Sequence, residues 1–361
     1  MRYSISTLAY LAFFWALSIA LYLVIPDLRY YFDIWKFRWI EREMAQGRSL
    51  PIAMTDSSER LEYDYVICGS SHIWNNMDAA YIGRSLCDSE RKVVNLGTYW
   101  YGRDTHTSIA LDFMRRHKVK NLVVECWNQE VDLVHGHFSY VCTPAEVLGH
   151  ARTKSIFRAE VWNLNGDFKK PLSFFFECFA KMGLRAYTLP YVLHANTHWD
   201  PTENLEVFDE YRGSWPMCET APEAFLKDNH AFTTAPTAIE DDTCADAKKR
   251  SLTVWHHELT RLTEQCRKDG TRVIFVFAPM RANEVPSESY LRYLRSLGGD
   301  VMPFPQKLNA DPAYWRDTGH LNMKGCRLMS EAFVRHERSE GRALDVIPVS
   351  RPGQPAERKD K

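Results

Sequence analysis

Apolar residues lie in short runs separated by polar, turn-forming segments. The four runs typical of strands span residues 63–68, 92–96, 121–125 and 272–277. Three of them are almost continuously apolar, which is expected of parallel strands covered on both faces. Between the second and third runs, residues 108–116 place Ile109, Phe113 and Met114 on one side of a helix. This alternation predicts an α/β fold with a doubly wound parallel sheet.

The strand and helix rhythm is interrupted between about residues 136 and 244, a region rich in Trp, Phe, Pro and Asp with no clean period. We interpret it as an insertion between the third and fourth strands, of the kind that forms a cap or a binding surface. A helical pattern returns over residues 245–268. The α/β domain is therefore predicted to span residues 60–338, and the polar segment 339–361 is predicted to be a flexible tail.

The N-terminus carries a long apolar segment. No residue between Arg2 and Asp27 is charged, and residues 8–25 are almost wholly apolar. A helix needs about 20 such residues to cross a bilayer. The pattern predicts a transmembrane anchor over residues 1–26. A cleaved signal peptide is the alternative, but the apolar run continues past its small-residue site at Ser18–Ala20.

Charged residues next to this segment bear on its orientation. Residues 27–59 begin with mixed aromatic and charged residues and are predicted to be a juxtamembrane segment. The bases that follow the span closely are Arg29, Lys36, Arg38 and Arg42. Only Arg2 and the amino terminus precede it. By the positive-inside rule, this distribution favours a cytoplasmic α/β domain.

Composition narrows the classes of function. With 361 residues, 45% of them hydrophobic, the chain can form one large α/β domain with an insertion. A net charge of −1 offers no electrostatic case for a nucleic-acid partner. The nine cysteines include no CxxC spacing, and the histidines at 135, 137, 256 and 257 have no matching carboxylate spacing. We therefore predict neither a metal nor a cofactor and interpret these histidines as solvated.

Polar residues follow the first three predicted strands, at the edge where α/β sheets place their sites. Gly69 allows a sharp turn after the first strand, so that the hydroxyl of Ser71 stands exposed near a helix N-terminus. Taken alone, this is also the pattern of a helix N-cap. Gly97 follows the second strand and Asn128 the third. The backbone N–H groups of Ser71 and Gly97 and the Asn128 amide are candidate oxyanion-hole donors.

The decisive motif lies near the end of the domain. Asp317 and His320 are three residues apart in a tight turn before a predicted helix. A carboxylate there can fix the tautomer of the imidazole, whose other nitrogen then faces a serine. The chain has no Gly-x-Ser-x-Gly elbow, which separates it from the α/β-hydrolase pattern. We predict Ser71 as nucleophile, His320 as general base and Asp317 as the acid that orients it.

Four further residues fall in loops expected to surround this site. We predict a substrate-binding role for Trp74, Trp100, Trp127 and Arg281. Aromatic faces suit sugar rings or an acyl chain, and the guanidinium group suits a charged substrate group. Core packing is the alternative for each aromatic ring.

These motifs resemble those of the SGNH (GDSL-type) hydrolase superfamily. Gly69–Ser71 is similar to its first block, Gly97 to its second, Asn128 to its third and Asp317–His320 to its closing Asp-x-x-His. The resemblance implies the same triad and oxyanion donors, on a flavodoxin-like three-layer fold. The chain departs from the pattern at Ser70, where the first block usually has Asp, and around Asn128, where the usual Gly and Asp are missing.

A Gly-Ser-Ser block with an N-terminal anchor is more particular. It resembles the D-alanyl transfer proteins of teichoic acid modification and, more loosely, the O-acetylation proteins of alginate-type polysaccharides. This resemblance implies a single-pass protein of the bacterial inner membrane, with its catalytic domain in the periplasm or otherwise outside the cytoplasm, against the charge distribution. It also implies a membrane-bound O-acyltransferase as partner and a cell-envelope glycan as acceptor.

The function expected from these features is an O-acyltransferase that uses an acyl-Ser71 intermediate. A membrane-anchored esterase or deacetylase has the same triad and differs only in using water as acceptor. A third alternative is a non-catalytic subunit of a polysaccharide-modifying complex.

Overall fold

A computed structural model describes most of the α/β domain. It covers residues 13, 16–17, 60–87, 92–97, 102–127, 130, 133–135, 138, 142, 144–152, 160–162, 168–169, 178, 237–238, 246–251, 253–278, 284–302, 304–317 and 319–339. The predicted anchor lies outside the described residues except for three positions, and the predicted juxtamembrane segment and the tail beyond residue 339 lie outside them entirely. Within the described part of the chain, no helix is both long and apolar enough to span a membrane.

The secondary structure follows the predicted alternation. The strands, in chain order, are β1 (Glu62–Cys68), β2 (Val93–Asn95), β3 (Lys118–Cys126), β4 (Leu133–His135), β5 (Glu160–Trp162), β6 (Phe168–Lys169), β7 (Thr237–Ala238), β8 (Arg272–Phe277), β9 (Glu284–Val285) and β10 (Asp300–Met302). The helices are α1 (Ser71–Asn76), α2 (Ala79–Leu86), α3 (Arg103–Arg116), α4 (Pro144–Arg152), α5 (Ala247–Arg250), α6 (Val254–Asp269), α7 (Glu288–Ser296), α8 (Gln306–Ala310) and α9 (Met323–Ser339), with a 3-10 turn at Pro312–Tyr314.

Five strands form one parallel sheet in the order β10–β8–β3–β1–β2. Numbered within this sheet alone, the order is 2-1-3-4-5, which is a doubly wound arrangement. The predicted α/β class and parallel sheet are confirmed. The fifth strand, β10, was not predicted, because three residues beginning with an aspartate give almost no strand signal. The strand order reverses between β1 and β3, where such sheets open a crevice at their carboxyl ends.

Helices cover both faces of this sheet, which explains why its strands are apolar throughout. In β1, Val66 packs into a core shared with α3 and α6, whereas the adjacent Ile67 packs into a second core shared with α2 and α9. Both side chains are fully buried. Neighbouring residues of a strand point to opposite faces, so a sheet between two helical layers requires apolar residues at consecutive positions.

The helices differ from their sequence patterns at their ends. Helix α3 begins at Arg103, five residues before the apolar pattern that predicted it, because its first turns carry buried polar residues. Helix α6 covers only the later part of the pattern over residues 245–268 and ends at Asp269, before its cap Gly270, which adopts a left-handed conformation with φ 70°. Both helices pack on the same face of the sheet and contact each other.

Parts of the predicted insertion are described. Strands β5 and β6 lie within it and join β4 in a three-stranded sheet of order β4–β5–β6. Strand β7 pairs with β9, a strand that follows β8 in the chain. The predicted insertion therefore contains short strands, and one of them, β7, pairs with a strand that follows β8.

Of the histidines interpreted as solvated, His137 lies outside the described residues, and the other three are partly or fully enclosed. His135 is 1% exposed and packs against Gly102, so that prediction was wrong for this residue. His256 lies 2.7 Å from the Tyr293 hydroxyl through Nδ1, and burial lowers its pKa to about 4. Among the described residues, no group of His, Cys, Asp and Glu side chains could hold a metal ion.

Candidate active site

Ser71 is the first residue of α1, directly after β1 and the Gly69–Ser70 turn. Ser70 is the N-cap of this helix, and its side-chain oxygen accepts the His72 N–H at 3.2 Å. Ser71 therefore stands at the carboxyl edge of the sheet, beside the β1–β3 crevice, with a half-buried side chain. Its backbone N–H belongs to the first turn of a helix, where N–H groups have no partner within the helix.

Ser71, His320 and Asp317 form one hydrogen-bonded line. The Ser71 hydroxyl oxygen lies 3.0 Å from Nε2 of His320. On the other side of the ring, Nδ1 of His320 lies 2.8 Å from Oδ1 and 3.1 Å from Oδ2 of Asp317. The serine and the histidine are 249 residues apart in the chain. This is the geometry by which a carboxylate orients an imidazole and the imidazole takes a proton from a serine.

Asp317 is held as a carboxylate. Its Oδ1 accepts the backbone N–H groups of Gly319 and His320, each at 2.9 Å, and its Oδ2 pairs with Arg316 at 3.1 Å. Partial burial alone would raise the pKa of Asp317. The hydrogen bond and charge of His320, the Gly319 N–H and the Arg316 guanidinium outweigh burial and hold this pKa well below its usual range.

The turn that carries Asp317 and His320 is closed on itself. Trp315 and Leu321 form an antiparallel bridge, and the Arg316 N–H donates to the His320 carbonyl at 2.8 Å. The turn is also joined to α1, because the Leu321 N–H donates to Oδ1 of the buried Asn76 at 3.1 Å. Helix α1 therefore connects the two parts of the triad, with Ser71 at its start and the partner of Leu321 at its end.

The two serines of the Gly-Ser-Ser motif have different surroundings. Ser70 is fully buried, and its hydroxyl donates to Oε1 of Glu125 at 2.9 Å. Its backbone N–H donates to Oε2 of the same carboxylate. Ser71 instead faces His320. Of this pair, only Ser71 lies within hydrogen-bond distance of the His320 imidazole in the described structure.

Glu125 lies buried at the end of β3, directly beneath the Ser70–Ser71 turn. Burial raises its pKa to about 7, although hydrogen bonds from Ser70 and the charge of Arg103 act in the opposite direction. The Arg103 guanidinium donates to the Glu125 carbonyl at 2.6 Å and pairs with the buried carboxylate of Glu130. The Glu130 carboxylate therefore compensates the charge of Arg103, which limits the effect of this charge on the pKa of Glu125.

A second imidazole lies against that of His320. The rings of His72 and His320 are stacked, with centroids 4.8 Å apart and planes inclined by 13°. His72 is buried, and Nδ1 of His72 lies 3.0 Å from the Ser70 hydroxyl oxygen. Burial and the charge of His320 lower the pKa of His72 to about 3, so its ring is neutral at ordinary pH.

The predicted oxyanion donors are described in part. Gly97 packs on the backbone of Trp74, where a Cβ atom would lie 2.9 Å from Cα of Trp74. The N–H of Gly97 donates to Oδ1 of Asn95 at 2.9 Å, so an oxyanion would have to compete with that bond. Asn128 lies outside the described residues. The oxyanion roles of Gly97 and Asn128 stay predictions.

The predicted substrate-binding residues separate into three groups. Trp74 is half-buried on α1, three residues from Ser71. Trp127 is fully buried, with the Arg103 guanidinium 4.3 Å from its ring centroid. This burial favours the core-packing alternative for Trp127. Trp100 and Arg281 lie outside the described residues.

Three residues near the triad had no predicted role. Glu125 was counted only as the end of an apolar strand, and Asn76 was not considered. The signal for Glu125 was its carboxyl group at the end of a continuously apolar run, because a buried acid must have partners. His72, next to Ser71 in the chain, was not among the predicted site residues, and it is buried, with 3% of the residue exposed.

The fold and the site define an α/β protein with a doubly wound parallel sheet, whose carboxyl edge carries a Ser–His–Asp line. None of the known protein-family models matches the chain. A comparison with curated proteins likewise finds no relative. The case for a function therefore rests on the geometry of this site and on the sequence motifs.

Proposed function

We propose that the chain is a serine acyl-enzyme, and specifically an O-acyltransferase that carries an acyl group on Ser71. The observation that supports this most is the 3.0 Å approach of the Ser71 hydroxyl to Nε2 of His320, with Asp317 on the opposite nitrogen. A hydroxyl becomes a useful nucleophile only when a base is positioned to take its proton.

In the first half of the proposed reaction, the Ser71 oxygen attacks the carbonyl carbon of an acyl donor. Its proton moves to Nε2 of His320, and the imidazolium that forms is stabilised by Asp317. When the tetrahedral intermediate collapses, the bond to the leaving group breaks. The leaving group takes the proton from His320, and an ester on Ser71 results.

In the second half, an acceptor hydroxyl gives its proton to His320 and attacks the ester carbonyl. The Ser71 oxygen leaves, recovers the proton from His320, and the acyl group is now on the acceptor. The sequence resemblance favours an acetyl or D-alanyl group, a cell-envelope glycan as acceptor and a membrane-bound O-acyltransferase as the donor partner. The same resemblance favours a bacterial inner-membrane protein with an extracytoplasmic catalytic domain.

Mass spectrometry of the Ser71 peptide tests the intermediate. The full-length chain, coexpressed with a membrane-bound O-acyltransferase encoded beside it, is expected to carry an acyl adduct on Ser71, and the mass identifies the acyl group. The adduct should be absent from Ser71→Ala. An adduct on Ser70 instead would reject the assignment of the nucleophile. Loss of the adduct to water at the same rate with and without glycan would favour an esterase or deacetylase.

Labelling with a fluorophosphonate tests the nucleophile without a partner protein. The wild-type chain is expected to be labelled, Ser71→Ala to be unlabelled, and Ser70→Ala to be labelled more slowly. Ser70→Ala is a matched control because it removes the neighbouring hydroxyl and leaves Ser71 in place. An unlabelled wild-type chain would favour a non-catalytic subunit.

The proposed location has its own test. Alkaline phosphatase fused after residue 60 is active only outside the cytoplasm. We expect an active fusion in a bacterial host. An inactive fusion with normal expression would place the α/β domain in the cytoplasm and reject an envelope glycan as acceptor.

A further inference from the structure

Three buried polar side chains form a second hydrogen-bonded line beside the triad. Glu125 accepts the hydroxyl hydrogen of Ser70 at 2.9 Å, and Nδ1 of His72 lies 3.0 Å from the same hydroxyl oxygen. Each of the three residues is at most 3% exposed. Burying polar groups is costly unless they are hydrogen-bonded, yet the acyl-transfer cycle uses none of them directly.

The hydrogens in this line can be assigned by counting donors. Ser70 has one hydroxyl hydrogen, and an ionised Glu125 can only accept. Ser70 therefore donates to Glu125, and its oxygen must accept from His72. It follows that His72 carries its ring hydrogen on Nδ1 while Glu125 is ionised, and that Nε2 of His72 carries no hydrogen.

Gly69 makes this arrangement possible. A Cβ atom at position 69 would lie 2.5 Å from Cβ of Glu125 and 2.8 Å from Cγ2 of Ile73. The missing side chain lets the carboxylate reach the Ser70 N–H and hydroxyl together. Glu125 thereby fixes the Ser70 side chain, and Ser70 in turn fixes the plane of the His72 ring.

The stacked His72 ring lies where it can control His320. During the proposed reaction His320 becomes a cation, and a second cation 4.8 Å away would oppose that step. A neutral, flat and anchored ring instead limits rotation of His320 without adding charge. Rotation matters because proton transfer needs Nε2 to stay aligned with the Ser71 hydroxyl.

We propose that Ser70, His72 and Glu125 are positioning residues that hold a neutral imidazole flat against His320 and keep its Nε2 directed at Ser71. This inference rests on the proposed acyl-enzyme function and adds residues to it. The charged or titratable groups around the line are Arg103, Cys68 and Cys126 near Glu125, and Asp317 and His320 near His72.

Nitrogen-15 NMR of the histidine rings tests the line itself. In the wild-type chain we expect His72 to be protonated on Nδ1 and not on Nε2 above about pH 8, where Glu125 is ionised. In Glu125→Gln the amide oxygen must face the Ser70 N–H, so the amide nitrogen donates to the Ser70 oxygen. The Ser70 hydrogen then points to Nδ1 of His72, and the ring hydrogen is expected on Nε2. The same tautomer at position 72 in both proteins would overturn the proposal.

Kinetics test the positioning role. Hydrolysis of p-nitrophenyl acetate by the full-length chain gives kcat and KM separately. We expect His72→Gln, which removes the flat ring, to lower kcat about 10- to 100-fold with little change in KM. His72→Phe keeps a flat ring but loses the hydrogen bond to Ser70, so kcat is expected to recover only in part, to about three- to tenfold below wild type. Equal free energies of unfolding of the two variants, measured in urea, would show that this recovery is not a recovery of stability.

His256→Phe is the matched control, because His256 is a partly buried histidine with one hydrogen bond to Tyr293 and lies outside the site. It should keep the wild-type kcat. Equal kcat in His72→Gln and wild type would overturn the positioning role. If the proposed acyl-enzyme function itself is wrong, fluorophosphonate would not label Ser71 in the wild-type chain. This result distinguishes the failure of the function from the failure of the positioning role. If the substitutions at 72 unfold the chain, the tautomer measurement on wild type and Glu125→Gln decides alone.

Discussion

Gly69 was interpreted as the residue that lets the chain turn sharply after β1. Its backbone is not in the left-handed region; the glycines with positive φ among the described residues are Gly102, Gly270 and Gly298. What requires a glycine at position 69 is instead the close approach of Glu125 and Ile73. The motif is therefore explained by a neighbour that is distant in the chain and not by local backbone conformation.

Substitution of Gly69 tests this explanation. Gly69→Ala is expected to lower the free energy of unfolding by about 1–3 kcal/mol. The new Cβ would meet Cβ of the buried Glu125, and a Cβ atom cannot move away by rotation of the side chain. Urea unfolding measures the change. Gly149→Ala in α4 is the control, since a Cβ there would lie 3.4 Å from the nearest atom, and helical alanine is favoured over glycine. Equal stability of Gly69→Ala and wild type would contradict the explanation.

Asp317 is the residue that sets the tautomer of His320. In Asp317→Asn the amide oxygen would keep the two backbone N–H groups, and the amide nitrogen, in the place of Oδ2, would lose the hydrogen bond from Arg316 and donate to Nδ1 of His320. The ring hydrogen would then occupy Nε2, which could not accept from Ser71. We expect kcat for p-nitrophenyl acetate to fall by about 10³- to 10⁴-fold.

Asp311→Asn is the matched control for this substitution. Asp311 accepts the Ala313 N–H at 2.9 Å in the same loop region, six residues before Asp317. It should retain wild-type kcat. A kcat for Asp317→Asn within about tenfold of wild type would show that the carboxylate does not orient the base.

At the scale of elements, α1 acts as the connector of the site. Ser71 begins this helix, and Asn76 at its end accepts the Leu321 N–H beside His320. Helix α1 has only six residues and would not be stable in isolation. Its position depends on the Ser70 cap at one end and on the Asn76 and Asn95 contacts at the other.

Removal of the Asn76 side chain tests this connection. Asn76→Ala leaves the buried Leu321 N–H without an acceptor, so the free energy of unfolding should fall by roughly 1–3 kcal/mol. The turn carrying His320 would also lose its tie to Ser71, so kcat should fall by about tenfold or more. Urea unfolding and p-nitrophenyl acetate hydrolysis measure the two effects.

Asn121→Ala separates stability from catalysis. Asn121 donates to the Asp64 carbonyl at 2.8 Å, near the opposite end of the strands from the site. Its substitution should lower stability and leave kcat unchanged. If both asparagine variants lost kcat in proportion to stability, the connecting role of Asn76 would be rejected.

At the scale of the whole molecule, buried acids set how stability depends on pH. A carboxyl group with a raised folded pKa binds its proton more tightly in the folded chain. Its contribution is complete below the unfolded pKa and is lost as pH rises through the folded pKa. Glu125, with a pKa raised to about 7, acts in this way, and burial raises the pKa of Asp104 well above its usual range too.

We therefore expect Glu125 to lower the free energy of unfolding by roughly 2 kcal/mol as pH rises from about 5 to 7. His72 and His256, whose pKa values are lowered to about 3 and about 4, raise it over the same range, because their unfolded forms bind protons that the folded forms do not. Asp317, whose pKa is lowered, acts in the opposite direction and loses its contribution only in strong acid. Urea unfolding across this range measures the slope. Glu125→Gln should remove the decrease contributed by Glu125 and make the slope more positive than in wild type, and an unchanged slope in that variant would contradict the assignment.

The chain by itself determined the fold class and the local pair Asp317 and His320, and only the resemblance of its motifs to a known family selected Ser71 over Ser70. Consecutive apolar residues report burial on two faces, and the small spacing of Asp317 and His320 makes their contact local. The sequence also carried the Gly-Ser-Ser motif, but not which serine faces the histidine. That depends on the direction of each side chain after the turn, and only the packed chain decides it.

Tertiary structure decided the surroundings of the triad. Glu125 meets Ser70 across 55 residues, Asn76 meets Leu321 across 245, and His72 stacks on His320. None of these contacts has a periodic or local signal, because each depends on how β1, β3 and the turn before α9 converge at one edge of the sheet. Burial of Trp127 was decided in the same way, since an aromatic ring after a strand suits either a substrate or the core until the neighbouring elements are in place.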